Sequence, residues 1–234
     1  MRLDKYLAHA GIGTRKEVKL LIRKKHICVN GVVCTKDDTH IDEHRDVITF
    51  DGEDISYDPV VYLVLNKPSG VISATVDDMH ATVFDCIDAL LPTDCFPVGR
   101  LDIDTEGLLL ITNDGKLAHQ LLSPSKHVWK TYYVEARDPL SPDDLHILES
   151  GTIKLDEEVL KKAKTQRITD HSIYLSIQEG KYHQIKRMLH AVHNEVTYLK
   201  RIQMGPLSLD ESLAPGEWRY LREDEIAMLR KQAS

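Results

Sequence analysis

Apolar side chains recur at helical spacing at the start of the chain. Within residues 2–10 they stand three or four positions apart, at Leu3, Tyr6, Leu7 and Ala10. A second helix is predicted to open at Thr14, because the Thr14 hydroxyl and the Glu17 carboxylate form the sequence signature of a capping box. Two short helices are therefore expected first.

A hairpin is predicted directly after these helices. Two apolar runs, at 27–29 and 32–34, flank the dipeptide Asn30-Gly31. This dipeptide readily adopts the positive φ angles of a tight two-residue turn. Residues 47–50 add another predicted strand, which completes a small helix–helix–hairpin unit.

Beyond residue 59 the pattern alternates between strand-like and helix-like runs. The strand-like runs are 61–65, 108–112, 131–135, 172–178 and 196–203, and the helix-like runs are 81–91, 116–122, 142–149 and 182–192. The polar, proline-containing stretch 51–59 precedes them, so we place a domain boundary near residues 57–59. The predicted fold class is α+β, with a small domain over 1–57 and a larger one over 58–234.

The composition is that of a globular protein. Apolar residues make up 42% and charged residues 29% of the 234 positions. No run approaches the roughly 20 apolar residues that a membrane helix needs, and the charged start of the chain is unlike a secretory signal, so a cytoplasmic location is expected. The cysteines, Cys28, Cys34, Cys86 and Cys95, lack paired spacing, which argues against zinc and disulfides.

Positive charge is concentrated at the N-terminus, although the net charge of the chain is −7. The first 30 residues carry eight Lys and Arg side chains against two carboxylates. On the second predicted helix the cations share one face while Val18, Leu21 and Ile22 face inward. This basic face is either a nucleic-acid contact or solvated surface. The candidate RNA-binding residues are Arg2, Lys5, Arg15, Lys16, Lys19 and Arg23.

The N-terminal unit resembles the S4-type RNA-binding domain. The likeness is carried by Arg2-Leu3-Asp4-Lys5-Tyr6-Leu7, Thr14-Arg15 and Val29-Asn30-Gly31. Where that family often has Ser-Arg at the start of its second helix, this chain has Thr14-Arg15, which preserves the helix cap. The resemblance implies that this unit grips structured RNA by its backbone.

A loop rich in acids leads into an apolar strand between Gly99 and Gly115. It carries Asp102, Asp104 and Glu106. The carboxylates are open to three interpretations: caps of a turn, a metal site, or an acid–base pair. The alternating register of a calcium loop is absent, which disfavours a metal. On an extended chain the Cα atoms of Asp102 and Asp104 would lie about 6.6 Å apart. This distance is within the range of two carboxylates that flank a glycosidic bond.

The same loop closely resembles the catalytic motif of the pseudouridine synthases, in the branch that acts on single ribosomal RNA sites. The likeness extends to Lys67-Pro68-Ser69-Gly70, Lys130-Thr131-Tyr132, the run from Glu179 to Met188, and Ala214-Pro215-Gly216-Glu217-Trp218-Arg219. Together with the S4-type unit it covers nearly the whole chain. The resemblance implies a catalytic domain built on a mixed, largely antiparallel sheet, and a redox-neutral isomerisation that needs no cofactor and no metal.

The resemblance also implies roles for particular residues. Asp102 becomes the nucleophilic or proton-abstracting carboxylate, and Lys186 the cation that keeps it ionised. Tyr132 stacks on the flipped uracil, and Arg100 fills the space beside the extruded base. Spacing alone leaves the alternatives of a core tyrosine and a surface salt bridge for the last two residues.

Other residues are expected in supporting roles. Lys67 would support the fold and the RNA backbone, and Asp104 would shape the loop. One face of the predicted helix 182–192 would meet RNA phosphate through His183, Arg187 and His190.

The expected substrate is ribosomal RNA, of the small subunit by the likeness around residues 123–132 and 182–188, either as RNA or as an assembly intermediate. The chain is expected to act as a monomer, without a membrane partner. A second hypothesis is a non-catalytic RNA-binding or ribosome-assembly factor that has kept the fold. The presence of Asp102, Tyr132 and Lys186 argues against it.

Overall fold

The computed structural model describes residues 1–43, 45–55 and 60–233. The chain forms two compact units: residues 1–61 with 88–95 make the first, and residues 62–87 with those from 96 onwards make the second. The predicted boundary at 57–59 lies outside the described residues and stays a prediction. Among the described helices, none is both long and apolar enough to cross a membrane.

The first unit pairs two helices with a small antiparallel sheet. Its elements are α1 (Leu3–His9), α2 (Arg15–Arg23), β1 (Ile27–Val29), β2 (Val32–Val33), β3 (Ile48–Phe50) and β4 (Glu53–Asp54), with the strands in the order β2-β1-β3-β4. The predicted capping box of α2 is present, since Thr14 and Glu17 bond each other's backbone. Asn30 and Gly31 have φ of 50° and 76°, as the predicted turn requires.

The second unit is built on one large sheet. The strands of the second unit are β5 (Tyr62–Lys67), β6 (Phe96–Pro97), β7 (Glu106–Thr112), β8 (Lys130–Ala136), β9 (Lys154–Leu155), β10 (Glu158–Val159), β11 (Lys164–Arg167), β12 (Ser172–Ile177), β13 (Val196–Met204), β14 (Leu207–Ser208) and β15 (Trp218–Tyr220). Of these, β9 and β10 pair with each other as a separate two-stranded sheet. Its helices are α3 (Gly115–Leu122), α4 (Pro142–Glu149), α5 (Gln184–Ala191) and α6 (Glu223–Ala233).

The order of the main strands is β11-β12-β8-β13-β7-β5-β15. Among the described strand pairs of this sheet, β13 with β7 is parallel and the others are antiparallel. The predicted α+β class with a mixed, largely antiparallel sheet is confirmed. Apolar side chains of β5, β7, α3 and α6 share one core, which fixes β7 and the loop that precedes it.

The helix predicted over 81–91 is wrong. A single 3-10 turn covers Val83–Cys86, opened by a capping box between Thr82 and Asp85, and Ile87 is already extended. Residues 88–95 then belong to the compact first unit. Tertiary packing overrides the apolar periodicity here, because one turn of helix gains too few hydrogen bonds to resist it.

Candidate active site

A cleft of about 1300 Å³ lies in the second unit, beside the loop that joins β6 to β7. The loop contributes Arg100, Asp102 and Asp104 to the wall of the cleft. The strand β8 contributes Tyr132, and α5 contributes Lys186. The structure therefore brings together the residues that the sequence assigned to chemistry.

Lys67 holds this loop from below. Its side chain is fully buried at the end of β5, and its Nζ donates to the carbonyls of Pro68 (3.0 Å), Ile103 (3.3 Å) and Thr105 (2.8 Å). Burial lowers the pKa of Lys67 to about 8, against the opposing charges of Asp104 and Asp102. Because the ammonium is buried, the predicted contact of Lys67 with the RNA backbone is wrong, whereas its support of the fold is confirmed.

Asp102 lies within ion-pairing distance of Lys186. The Lys186 Nζ is 3.4 Å from Oδ2 of Asp102, and the His183 Nε2 is 3.7 Å from Oδ1. Lys186 is closer to Asp104, to whose two carboxylate oxygens it donates at 2.6 and 2.8 Å. One ammonium thus lies between two carboxylates, and Asp104 anchors it.

Charge pairing outweighs burial in this cluster. Burial lowers the pKa of Lys186, but the hydrogen bond to Asp104 and the charge of Asp102 together raise it by more, so the pKa lies above its ordinary value. Burial raises the pKa of Asp104, yet its hydrogen bond to Lys186 brings it below the usual value. Lys186 is therefore a cation at neutral pH.

Tyr132 lies on the buried face of β8, with 7% of its surface exposed, and lines the cleft. Side chains of β8 alternate between buried and half-buried positions, so Tyr133 faces the other side of the sheet. There its ring meets those of Tyr174 and Tyr198 edge-on. The alternation separates a cleft-facing tyrosine from a packing tyrosine.

Arg100 is exposed at the cleft wall. Among the residues that the structure describes, no carboxylate oxygen lies within 4.0 Å of its guanidinium. Within the described ranges, Arg100 thus does not form the surface salt bridge that was its alternative. Its guanidinium is available to a substrate.

His183 lies outside the helix to which the sequence assigned it. The helix α5 begins at Gln184, and His183 precedes it in the left-handed region, with φ of 48°. The His183 ring stacks on Tyr182, with 3.8 Å between ring centroids, and Tyr182 is 74% exposed. His183 therefore faces Asp102 rather than sharing a helix face with Arg187 and His190.

The predicted RNA-binding cations of the first unit are organised by a buried acid. Asp4 is fully buried and lies 3.0 Å from Arg2, 3.4 Å from Arg15 and 3.8 Å from Lys19. Hydrogen bonds and charge from Arg2 and Arg15 lower the pKa of Asp4 in spite of its burial. Asp4 stands in the motif that resembles the S4-type domain, but its burial was not predicted, because helical spacing alone does not show which polar side chain becomes buried.

A model of the RNA pseudouridylate synthase family matches residues 61–191, which include the whole acidic loop, β8 and α5. The chain belongs to this family. A model of the S4 domain matches residues 1–47, so the resemblance of the N-terminal unit is confirmed as well.

Other pseudouridine synthases are similar over the full length of the chain. A Bacillus subtilis protein named an uncharacterized RNA pseudouridine synthase is 47% identical, over 99% of this chain and 99% of its own. The ribosomal small subunit pseudouridine synthase A of Vibrio cholerae is 37% identical, over 99% and 100%. A crystal structure of a pseudouridylate synthase superposes with a TM-score of 0.70 at 35% identity, over 98% and 99%.

Two further cations of this synthase line the cleft and were not singled out from the sequence as site residues. Lys130, on β8, and Arg201, on β13, are both buried. A signal for Lys130 exists: it stands two positions before Tyr132, and alternation along a strand puts both side chains on the same face. Arg201 has no such signal, because its neighbours depend on the pairing of distant strands.

Proposed function

We propose that this synthase isomerises a uridine of small-subunit ribosomal RNA to pseudouridine, as a step in ribosome biogenesis, with Asp102 as the catalytic carboxylate. The observation that carries the proposal is the placement of Asp102 beside the Lys186 ammonium in a cleft that Tyr132 also lines. The small-subunit substrate is supported by the names of relatives from Vibrio cholerae and Haemophilus influenzae, which are 37% and 36% identical.

The proposed reaction begins at the sugar. The bond between uracil N1 and the anomeric carbon breaks, and its electron pair leaves with the base. The Asp102 carboxylate assists either by forming a bond to the anomeric carbon or by removing the neighbouring C2′ proton. The base then turns and C5 bonds to the anomeric carbon. On the first route this breaks the bond between Asp102 and the anomeric carbon, and on the second route C2′ takes its proton back from Asp102. Finally the C5 proton is lost and N1 gains a proton. Atoms and charge balance without a cofactor.

The remaining cleft residues act on the position of the base. The uridine is extruded from its stack, at a cost of a few kcal/mol. The Tyr132 ring stacks on it, and the guanidinium of Arg100 occupies the space that the base has left. Lys186, anchored by Asp104, places a positive charge beside the Asp102 carboxylate. The proposed enzyme acts as a monomer.

The S4-type unit is proposed to hold the RNA backbone. Its domain is taken to be residues 1–57, and the catalytic domain residues 58–234. The contacts are assigned to the basic side chains of α1 and α2, namely Arg2, Lys5, Arg15, Lys16, Lys19 and Arg23. Their charges release counterions when they neutralise phosphates, which gives affinity without sequence preference.

The first experiment removes the charge of Asp102. Asp102→Asn keeps the size of the side chain and loses the carboxylate, so pseudouridine formation in a small-subunit rRNA transcript should fall by at least about 10²–10⁴-fold. The matched control is Asp104→Asn, which should be much milder because Asp104 only anchors Lys186. Thermal unfolding and RNA affinity should change little in both variants.

Two results would contradict the proposal. An Asp102→Asn protein that modifies RNA at a near-normal rate would remove the carboxylate from the mechanism, and equal loss in both variants would favour a paired-acid mechanism. Mapping pseudouridines in rRNA from cells with and without the protein tests the substrate. An unchanged map, together with intact rRNA binding, would favour the non-catalytic assembly factor.

A further inference from the structure

Lys130 and Arg201 are buried cations, 5% and 1% exposed. Among the described residues, no carboxylate oxygen lies within 4.0 Å of either, and the Lys130 ammonium forms no hydrogen bond. Arg201 donates from Nε to the carbonyl of Leu108 at 2.7 Å, while its buried Nη2 has no hydrogen-bond partner in the described part of the chain.

Both cations lie at the floor of the cleft beside Tyr132. Lys130 is two positions before Tyr132 on the same buried face of β8. Arg201 is the register partner of Tyr132 on β13. Lys130, Tyr132 and Arg201 all line the cleft that contains Asp102. A base stacked on Tyr132 would therefore share one cleft with the two positive charges and the carboxylate.

The surroundings of the pair do not neutralise it. Burial, then the charge of Arg201, lowers the pKa of Lys130 to about 8, Glu179 opposes this and Lys161 adds to it. Glu179 is itself engaged: its Oε1 accepts from the Lys161 backbone at 2.9 Å and from Gln184 at 3.1 Å. A buried charge without a partner costs several kcal/mol, so its retention points to a bound negative charge.

The proposed reaction generates such a charge at this place. When the bond from N1 to the anomeric carbon breaks, the electron pair stays on uracil, and the base becomes an anion with its charge spread over N1, O2 and O4. Preorganised positive groups in a site that excludes water stabilise a developing charge most effectively. The anion disappears when C5 bonds to the sugar and N1 is protonated.

We infer that Lys130, backed by Arg201, stabilises the uracil anion while it is detached from the sugar. This inference rests on the proposed function. RNA phosphate is the other anion available, but the backbone follows the outside of a folded RNA, whereas these side chains lie nine-tenths buried below Tyr132. The depth of the pair favours the base.

The test replaces Lys130 by Met, a side chain of similar length without charge. Single-turnover loss of the target uridine should slow by about 10²–10³-fold, the loss expected for one donor at an oxyanion. The midpoint of thermal unfolding should stay unchanged or rise, because an unpaired buried charge has been removed. Lys130→Arg keeps the charge and should retain most of the rate.

A second substrate tests the leaving base directly. Fluorine at C5 makes the uracil anion more stable, so an RNA with 5-fluorouridine at the target needs less help from the protein. The ratio of wild-type to Lys130→Met rates should therefore be smaller for 5-fluorouridine loss than for uridine loss. For Lys161→Met, on the same cleft, the ratio should be equal for both substrates.

Three outcomes would overturn the inference. A lower unfolding midpoint in proportion to lost activity would make Lys130 structural. An unchanged rate with weaker RNA affinity and a shallower salt dependence would assign it to phosphate. If the ratio of wild-type to Lys130→Met rates were equal for uridine and 5-fluorouridine, Lys130 would not stabilise the leaving base. Failure of the proposed function itself is recognised separately, because wild type would then form no pseudouridine.

Discussion

Two buried lysines of the catalytic unit have opposite surroundings. Lys67 directs its ammonium at three backbone carbonyls, whereas Lys130 has no hydrogen-bond partner among the described residues. Burial lowers the pKa of each to about 8. The same desolvation is thus offset by hydrogen bonds in one case and left uncompensated in the other.

Replacing Lys67 by Met should destabilise the protein, in contrast to Lys130→Met. The substitution takes the Lys67 donor away from the buried carbonyl of Thr105 and from the part-buried carbonyls of Pro68 and Ile103, and one unsatisfied buried group costs about 1–3 kcal/mol. Denaturant unfolding measures the difference. Turnover should fall too, because the carbonyls of Ile103 and Thr105 belong to the loop that carries Asp102. A Lys67→Met protein as stable as wild type would contradict the supporting role.

The stability difference between Lys130→Met and wild type should depend on pH. Because the folded pKa of Lys130 is about 8, below its ordinary value of 10.5, folding disfavours the charged form. This penalty is fully present below about pH 8 and vanishes above about pH 10.5. The advantage of Lys130→Met should therefore shrink as pH rises through this window.

Unfolding midpoints of both proteins over a pH series check this expectation. Arg201, Glu179 and Lys161 are the charged groups that act on Lys130, and they are present in both proteins. An advantage that grows with pH would mean that the folded pKa of Lys130 lies above its ordinary value, as it does for a well-paired ammonium.

At the scale of the elements, Gly107 is a point of close approach between β7 and β13. Its φ is 102°, and a Cβ there would lie 2.2 Å from the Arg201 carbonyl oxygen. Gly107→Ala should lower the free energy of unfolding by about 1–3 kcal/mol from backbone strain, and steric overlap adds to this.

The matched control is Gly216→Ala. Gly216 has a similar φ of 91°, but a Cβ there would meet nothing within 4 Å. Denaturant unfolding of the two variants separates strain from steric overlap. Equal losses would mean that the parallel pair of β13 and β7 can shift apart without cost.

The elements that the sequence predicted well are those whose signal is local. The capping box at Thr14 and the turn at Asn30-Gly31 depend on interactions within a few residues. The strands β5 and β7 contain continuous apolar runs, which is the pattern of strands that are buried on both faces of a sheet. The prediction of a helix over 81–91 is wrong because a short apolar run does not distinguish a helix from a segment that packs as extended chain. Short strands such as β9 and β10 were not predicted, because two residues are too few to show the alternation of apolar and polar positions that marks a strand.

The site divides in the same way. Asp102, Tyr132, Lys186 and Arg100 were assigned through motifs, and the structure places them at one cleft. The closer pairing of Lys186 with Asp104 was not predictable, because it depends on how α5 meets a loop some eighty residues earlier. Spacing along the chain does not contain that distance.

For the whole molecule, the salt dependence of RNA binding should report the basic face of α2. Lys16 and Arg23 are exposed there, and among the described residues neither has a carboxylate oxygen within 4.0 Å, whereas Arg15 and Lys19 are paired with Asp4. Changing Lys16 and Arg23 to Gln should lower the slope of log affinity against log salt by about 0.7–0.9 for each phosphate that the protein no longer neutralises.

Filter binding over a salt series measures this slope. Lys231→Gln, on the exposed side of α6 and away from the cleft residues, is the control and should leave the slope unchanged. Should the double variant behave like the control, the basic face of α2 is solvated surface.

The position of β13 in the sheet also sets the order in which the enzyme can be made. This strand separates β8 from β7, yet the ribosome synthesises it about eighty residues after β7, roughly 4–17 s later at about 5–20 residues per second. Until then the nascent sheet consists of two halves with open edges. The strand that joins the two halves carries Arg201. Pairing of β13 therefore completes the floor of the cleft, and it also covers the open strand edges that chaperones and neighbouring chains could otherwise bind.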